Sequence, residues 1–200
     1  MFTRVNKMSI LLNQEIVKCV EEGSIHVNPY NKKNVGPNSY DVTLGDKLVV
    51  YDFSQMQYLD SRSENHVKEI IIPESGFILQ PKMLYLGSTQ ESIGSDFYIP
   101  MYEGRSSMAR LGIQSHLSAG FGDIGFNRQW TLEISVVHPV KVYAGDRIGQ
   151  VYFHCVHSDY INPEFLYKGK YIHQSGPQPS LSFKDIEANR EANIQEFDKN

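Results

Sequence analysis

Along residues 9–22 apolar side chains recur every four positions, at Leu12, Ile16 and Val20, with Ser9 before them and Gly23 after. That spacing predicts one amphipathic helix, capped by Ser9 and stopped by Gly23. Beyond it the pattern changes. Short runs rich in Val, Ile, Tyr and Phe follow one another, separated by turn residues: "SYDVTLGDKLVVY", "KEIIIPESGFILQPKMLYLGST", "QWTLEISVV" and "VKVYAGDRIGQVYFHCV". Runs of this length and spacing predict a mainly β chain, a barrel or jelly roll with a short N-terminal helix appended. No repeat or linker divides the chain, so a single domain over residues 1–200 is expected, with residues 1–8 an extension (Met8 an alternative start) and 183–200 a tail. The closing stretch "LSFKDIEANREANIQEFDKN" is charged and poor in apolar pattern, and reads either as a frayed end or as an arm over a neighbouring subunit.

Composition narrows what such a barrel can bind. The formal net charge of −4 gives no general affinity for nucleic acid or an anionic membrane. Phosphate binding would need a local basic cluster, and Arg105, Arg110, Arg128, Lys168 and Lys170 are the candidates. The two cysteines, Cys19 and Cys155, are too few for a disulfide framework or a Cys-rich zinc site and read as small core residues of a reduced, cytoplasmic protein. No stretch approaches membrane-spanning length, and the N-terminus lacks the features of a secretion signal.

The chemistry concentrates in residues 101–134, "MYEGRSSMARLGIQSHLSAGFGDIGFNRQWTLEI". Strand alternation puts Trp130, Leu132 and Ile134 on one face and Thr131, Glu133 and Ser135 on the other. Glu133 is then either a solvated strand carboxylate or a general base. Upstream, "EGRSSMARLG" offers two hydroxyls and two guanidiniums, groups that match phosphate oxygens or form a surface ion-pair cluster. In "AGFGDIGF", glycines flank Asp123 before Phe126, which suits backbone approach to a ligand or an ordinary hairpin turn. His116, His154 and His157 read as structural or exposed. Zinc-deaminase, zinc-protease, P-loop and nucleophile-elbow patterns are absent, so no protein-bound metal is assigned.

Taken in order, "EGRSSMARLG", "HLSAGFGDIGF", "WTLEI" and "AGDRIGQVYF" resemble the central signature of dCTP deaminases, members of the trimeric dUTPase superfamily. "VGPNSYDVTLGDKL" is similar to the family's N-terminal strand motif, and "GKYIHQSGPQPS" to its C-terminal nucleotide-closing segment. The resemblance spans roughly residues 9–182. It implies a distorted β-barrel or jelly roll of the dUTPase-like type, a homotrimer with sites between subunits, dCTP as substrate and Mg2+ carried by the triphosphate, without zinc.

By position, the resemblance makes Glu133 the catalytic carboxylate, with Ser106 and Arg110 as its partners. Arg105 and Ser107 would lie along the phosphates and Asp123 at the deoxyribose; the glycine-rich turn itself, apart from the resemblance, offers Phe126 as cover for a sugar face. Thr131 and Leu132 would offer backbone to the base, and Lys170 and Gln174 would close over the triphosphate with Tyr171 beside them. Main-chain groups near Ala119, with Ser106 and Arg110, are the candidates to stabilise charge on the ring. The expected reaction is hydrolytic deamination of dCTP to dUTP and ammonia. The first alternative is a bifunctional enzyme that continues to dUMP and pyrophosphate, since Asp123 occupies the turn where superfamily dUTPases orient an attacking water. A nucleotide-sensing module is the second. Inhibition by dTTP in the same pocket, with residues 113–122 as the mobile element, is a further expectation. Ile124 after the turn aspartate, Arg128 and Gln129 where a glycine is common, and Leu181 where an arginine is common all depart from the family pattern.

Overall fold

The structure is a computed structural model, and it describes residues 9–156 and 161–186. Met8 and the rest of the extension, His157 and residues 187–200 of the tail lie outside the described residues. Within them the helix α1 (Asn13–Glu21) is followed by β1 (His26–Asn28), β2 (Tyr40–Thr43), β3 (Lys47–Tyr51), β4 (Val67–Ile71), β5 (Phe77–Leu79), β6 (Tyr85–Gly94) and β7 (Tyr98–Gly104). Then come the one-turn helix α2 (Ser106–Arg110), β8 (Ile113–Gln114), β9 (Arg128–Val136), β10 (Val140–Val142) and β11 (Arg147–Cys155).

The helix begins four residues later than its pattern predicts. Ser9 does not cap it: Ser9 O accepts from Cys155 N at 2.9 Å and Leu11 N donates to Phe153 O at 3.0 Å, so residues 9–11 are drawn onto β11 as extended chain. Capping falls to Glu15, whose Oε2 accepts from Leu12 N at 2.8 Å, one of the N–H groups a helix start leaves unpaired. Ile16 and Cys19 face the core and Leu12 faces solvent. Full burial of Ile16 is worth about 1.5–3 kcal/mol.

All strand pairing is antiparallel. One sheet runs β4-β3-β6-β9-β8, with β1 on the far part of β6; a second runs β2-β11-β7; β10 and β5 form a third. A Leu44–Thr89 bridge joins the first two, and their inner faces share a core that includes Tyr40, Leu44, Leu48, Leu132, Ile134 and Phe153. β9 alternates as its sequence predicts, with Trp130, Leu132, Ile134 and Val136 buried and Thr131, Glu133 and Ser135 partly open. Its partner β8 covers only Ser135 and Val136, which leaves β9 from Thr131 to Glu133 without a strand on that side. A cavity opens there.

Candidate active site

The cavity has a volume of about 420 Å3, and β9 forms its floor through Trp130, Thr131 and Glu133. Residues 116–126 supply one wall, and the C-terminal segment the other through Tyr167, Tyr171, Gln174 and Gln178. Trp130 is anchored by Nε1 donating to Ile93 O at 3.0 Å, and Phe126 meets it edge-on with ring centres 6.3 Å apart. Tyr167 meets Phe126 edge-on from the other side at 5.3 Å. The aromatic row makes an apolar wall of the kind a base or sugar packs against. Gly122 lies against it so closely that a Cβ would sit 2.5 Å from the Trp130 ring, so only glycine lets the turn bring Asp123 to the rim.

At the deep end, His116 Nδ1 abuts Glu133 Oε2. The approach is poorly aligned, and His116 Nδ1, His116 Nε2 and Glu133 Oε2 are all buried without a well-directed hydrogen bond. Orphaned polar atoms in a cavity mark a place where water or ligand completes the set. Burial opposes charge on His116, but the Glu133 carboxylate, the Ala119 backbone and the charge of Glu103 together outweigh it, raising its pKa above the ordinary histidine value. Behind His116 stands Tyr102, edge-on at 5.1 Å, its hydroxyl donating to Ser115 Oγ at 2.8 Å. Burial drives the Tyr102 pKa far above the ordinary phenol value, so the phenol stays neutral. Among the described residues no group of three or more His, Cys, Asp or Glu side chains is placed to hold a metal ion.

The residues matched by the dCTP deaminase-like family model are 10–156. The chain belongs to this family. It is 48% identical over 162 residues to a Clostridium acetobutylicum protein named dCTP deaminase, dUMP-forming, covering 81% of this chain and 90% of that relative. Relatives of the same name in Cytophaga hutchinsonii and Leptospira biflexa are 47% and 45% identical, covering 82% and 89% of this chain and 91% and 98% of theirs. A solved 2'-deoxycytidine 5'-triphosphate deaminase from Agrobacterium tumefaciens shares the fold, with a TM-score of 0.60 at 20% identity over 75% of this chain and 49% of its own. The mainly β, dUTPase-like expectation is met. A deaminase that stops at dUTP is not what these relatives support: they are named for forming dUMP, which corrects the order of the two readings.

Of the residues singled out in the sequence, Glu133, Ala119, Asp123, Phe126, Thr131, Tyr171 and Gln174 share the cavity. Leu132 does not line it; its side chain is buried in the core. Lys170 lies just outside, paired with Asp185 at 2.5 Å. Arg105, Ser106, Ser107 and Arg110 are also absent from the lining. Ser106, Ser107 and Arg110 are exposed on α2, and Arg105 is held by Asp41 on β2, Nε to Oδ1 at 3.2 Å, with Arg147 on the other oxygen at 3.2 Å. His116, read from sequence as structural or exposed, is instead a cavity residue. Its signal was its place inside the one stretch dense in polar chemistry. His154 sits on β11 beside Tyr152 and does not line the cavity.

Proposed function

We propose that this chain deaminates dCTP and then hydrolyses the resulting dUTP to dUMP and pyrophosphate in the same cavity. The observation that carries this reading is that two carboxylates on different elements, Glu133 on the β9 floor and Asp123 on the opposing turn, face one cavity, in a chain whose relatives are dUMP-forming.

In the first step Glu133 takes a proton from water as the oxygen attacks C4 of cytosine, and returns one to the amine, which leaves as ammonia. His116, packed against Glu133, holds the carboxylate on the C4 side. Charge on the tetrahedral ring is met by donors fixed in advance, for which Ser106 and Arg110 are the candidates. The second step adds a water to the α-phosphorus and breaks its bond to the bridging oxygen, releasing pyrophosphate, with Asp123 orienting that water at the deoxyribose end. Phe126 covers the sugar, and main-chain groups at Ala119, Thr131 and Leu132 are assigned to the base. Mg2+ is proposed to arrive on the phosphates with most of its water, where it neutralises charge, and Arg105, Ser107, Lys170, Tyr171 and Gln174 take the rest.

The position of α2 supports a second copy of the chain as part of the site. Its polar residues are exposed, and Leu111 at its end and Val137, bonded to Gly112 just after it, are exposed apolar side chains, the composition of a surface that another subunit covers. The proposed assembly is a homotrimer in which α2 of one subunit completes the cavity of the next, and dTTP competes there with dCTP.

Purified protein given dCTP and Mg2+ tests the reading, with ammonia, dUTP, dUMP and pyrophosphate followed together. Ammonia, dUMP and pyrophosphate in equal amounts are expected. Accumulating dUTP would remove the hydrolytic half, and absence of ammonia the deaminating half.

A further inference from the structure

Residues 115–120 carry His116 and Ala119 past Glu133, and one tyrosine holds both ends of that span. β8 is paired to β9 only at Ile113 and Gln114. From Ser115 the chain has left the ladder, and the ladder no longer decides where His116 points. Tyr102 on β7 takes over at each end. Its hydroxyl donates to Ser115 Oγ at 2.8 Å, and its main-chain N–H donates to Gly120 O at 2.8 Å. Just beyond, Gly122 N donates to Pro100 O at 2.9 Å, so the chain leading to Asp123 lies along the outer edge of β7.

The packing around Tyr102 is shaped for a phenol. The ring is buried and crosses β11 at Gly149, where a Cβ would overlap the phenol oxygen. Gly104, at the end of β7, leaves room for Ser115 in the same way, since a Cβ there would sit 3.3 Å from Ser115 Oγ. Ser115 is 3% exposed, so neither hydroxyl has bulk water to turn to and each needs the other. Phenylalanine would fill the same space. The hydroxyl adds a direction, and that direction fixes the residue before His116.

The ring itself meets His116 edge-on with centres 5.1 Å apart, and lies within 28° of parallel to Trp130 at 6.3 Å. The imidazole is therefore set by the residue before it in sequence and by the ring behind it, with Glu133 in front. Tyr102 does not line the cavity, so whatever it does for the site it does through these neighbours.

We infer that Tyr102 is a positioning residue of the deamination step: by holding residues 115–120 at both ends it sets the His116 ring against Glu133, and Ser115 is the contact through which its hydroxyl acts. This rests on the dCTP reading above for the role of Glu133. Loss of the hydroxyl then slows proton transfer more than it weakens substrate capture.

The test uses the full chain in three forms. Tyr102→Phe keeps the ring and the bond to Gly120 and loses only the hydroxyl, Ser115→Ala removes the same bond from its other end, and the third form carries both changes. With dCTP, kcat for ammonia release is expected to fall about tenfold in each single variant, the size of one buried hydrogen bond, with KM within about threefold. The double variant should fall no further than either single one, because all three lack one and the same interaction.

A second readout needs no activity: ring-nitrogen NMR of histidine-labelled protein, with the His116 signal identified by its loss in His116→Gln. The charges that bear on His116 are Glu133 from β9 and Glu103 from β7. Once the anchor is gone the ring is held less firmly to Glu133, and its titration midpoint should move down toward the ordinary histidine value in both single variants. An unmoved midpoint in both would overturn the inference whether or not dCTP is deaminated. So would a double variant whose loss is the product of the single losses, or a rise in KM at constant kcat. A parent that releases no ammonia while its variants show the shifted midpoint would refute the dCTP reading and leave the link from Tyr102 to His116 standing.

Discussion

The strap at residues 171–180 and the short helix Ser106–Arg110 carry most of the side chains expected to grip a triphosphate, yet the chain treats them in opposite ways. The strap is fastened to β9 by side-chain and main-chain hydrogen bonds spanning 44 to 47 positions in sequence. The helix is exposed, its residues do not line the cavity, and apolar Leu111 and Val137 lie bare beside it. One half of the nucleotide's surroundings is therefore delivered by the chain itself. In the proposed trimer the other half comes from a neighbouring copy.

The test with the largest effect would break that contrast. Glu133→Gln and Arg110→Ala are each expected to lower ammonia release by about 10²- to 10⁴-fold, the range for a lost proton-transfer group or transition-state donor. When the two variants are unfolded and refolded together, activity should return, because some sites then combine an intact Glu133 with an intact Arg110. If nothing returns although mixed oligomers form, Arg110 acts within its own subunit.

A smaller effect sharpens the strap's side. Gln174→Ala removes the side chain that reaches Gln129 O, and KM for dCTP should rise by about tenfold, with the melting temperature within a few degrees of the parent. An unchanged KM would mean the strap is not part of substrate capture.

His116 yields a pH dependence whose sign is fixed by the direction of its shift. Its pKa is raised in the folded chain, so its contribution to stability is complete below the unfolded value of about 6.5 and is lost as pH rises through the folded value. Denaturant unfolding in steps from pH 6 to 9 should show this decline in the parent and a flatter profile in His116→Gln.

The smallest effect concerns Lys170, whose ammonium is occupied by Asp185 at a largely exposed pair. Asp185→Asn frees it, and KM for dCTP should fall no more than about threefold, since exposed ion pairs are weak. A rise in KM would show that Asp185 steers Lys170 instead of competing for it.

What could be read from the sequence divides along the same line. The periods of β2, β3, β6, β9 and β11 are local, so alternation found them and placed Glu133 on the open face. β7 escaped because Pro100 and Glu103 break its run. A proline fits there because β7 is the edge of its sheet, where a missing N–H is tolerated. The helix start moved because residues 9–11 find partners on β11, which local periodicity cannot foresee. Family resemblance named Asp123, Tyr171 and Gln174, but not that Tyr102 would reach Ser115. Nor did any spacing mark His116 as the neighbour of Glu133, since only the fold brings position 116 to position 133.

Trp130 is the chain's only tryptophan, and its ring forms part of the cavity floor between Tyr102 and Phe126. Light absorbed at the long-wavelength edge of the protein spectrum is therefore re-emitted from one spot. The molecule carries its own optical gauge of whether that floor is dry, wet or covered, and its emission can be followed through a single turnover without any label.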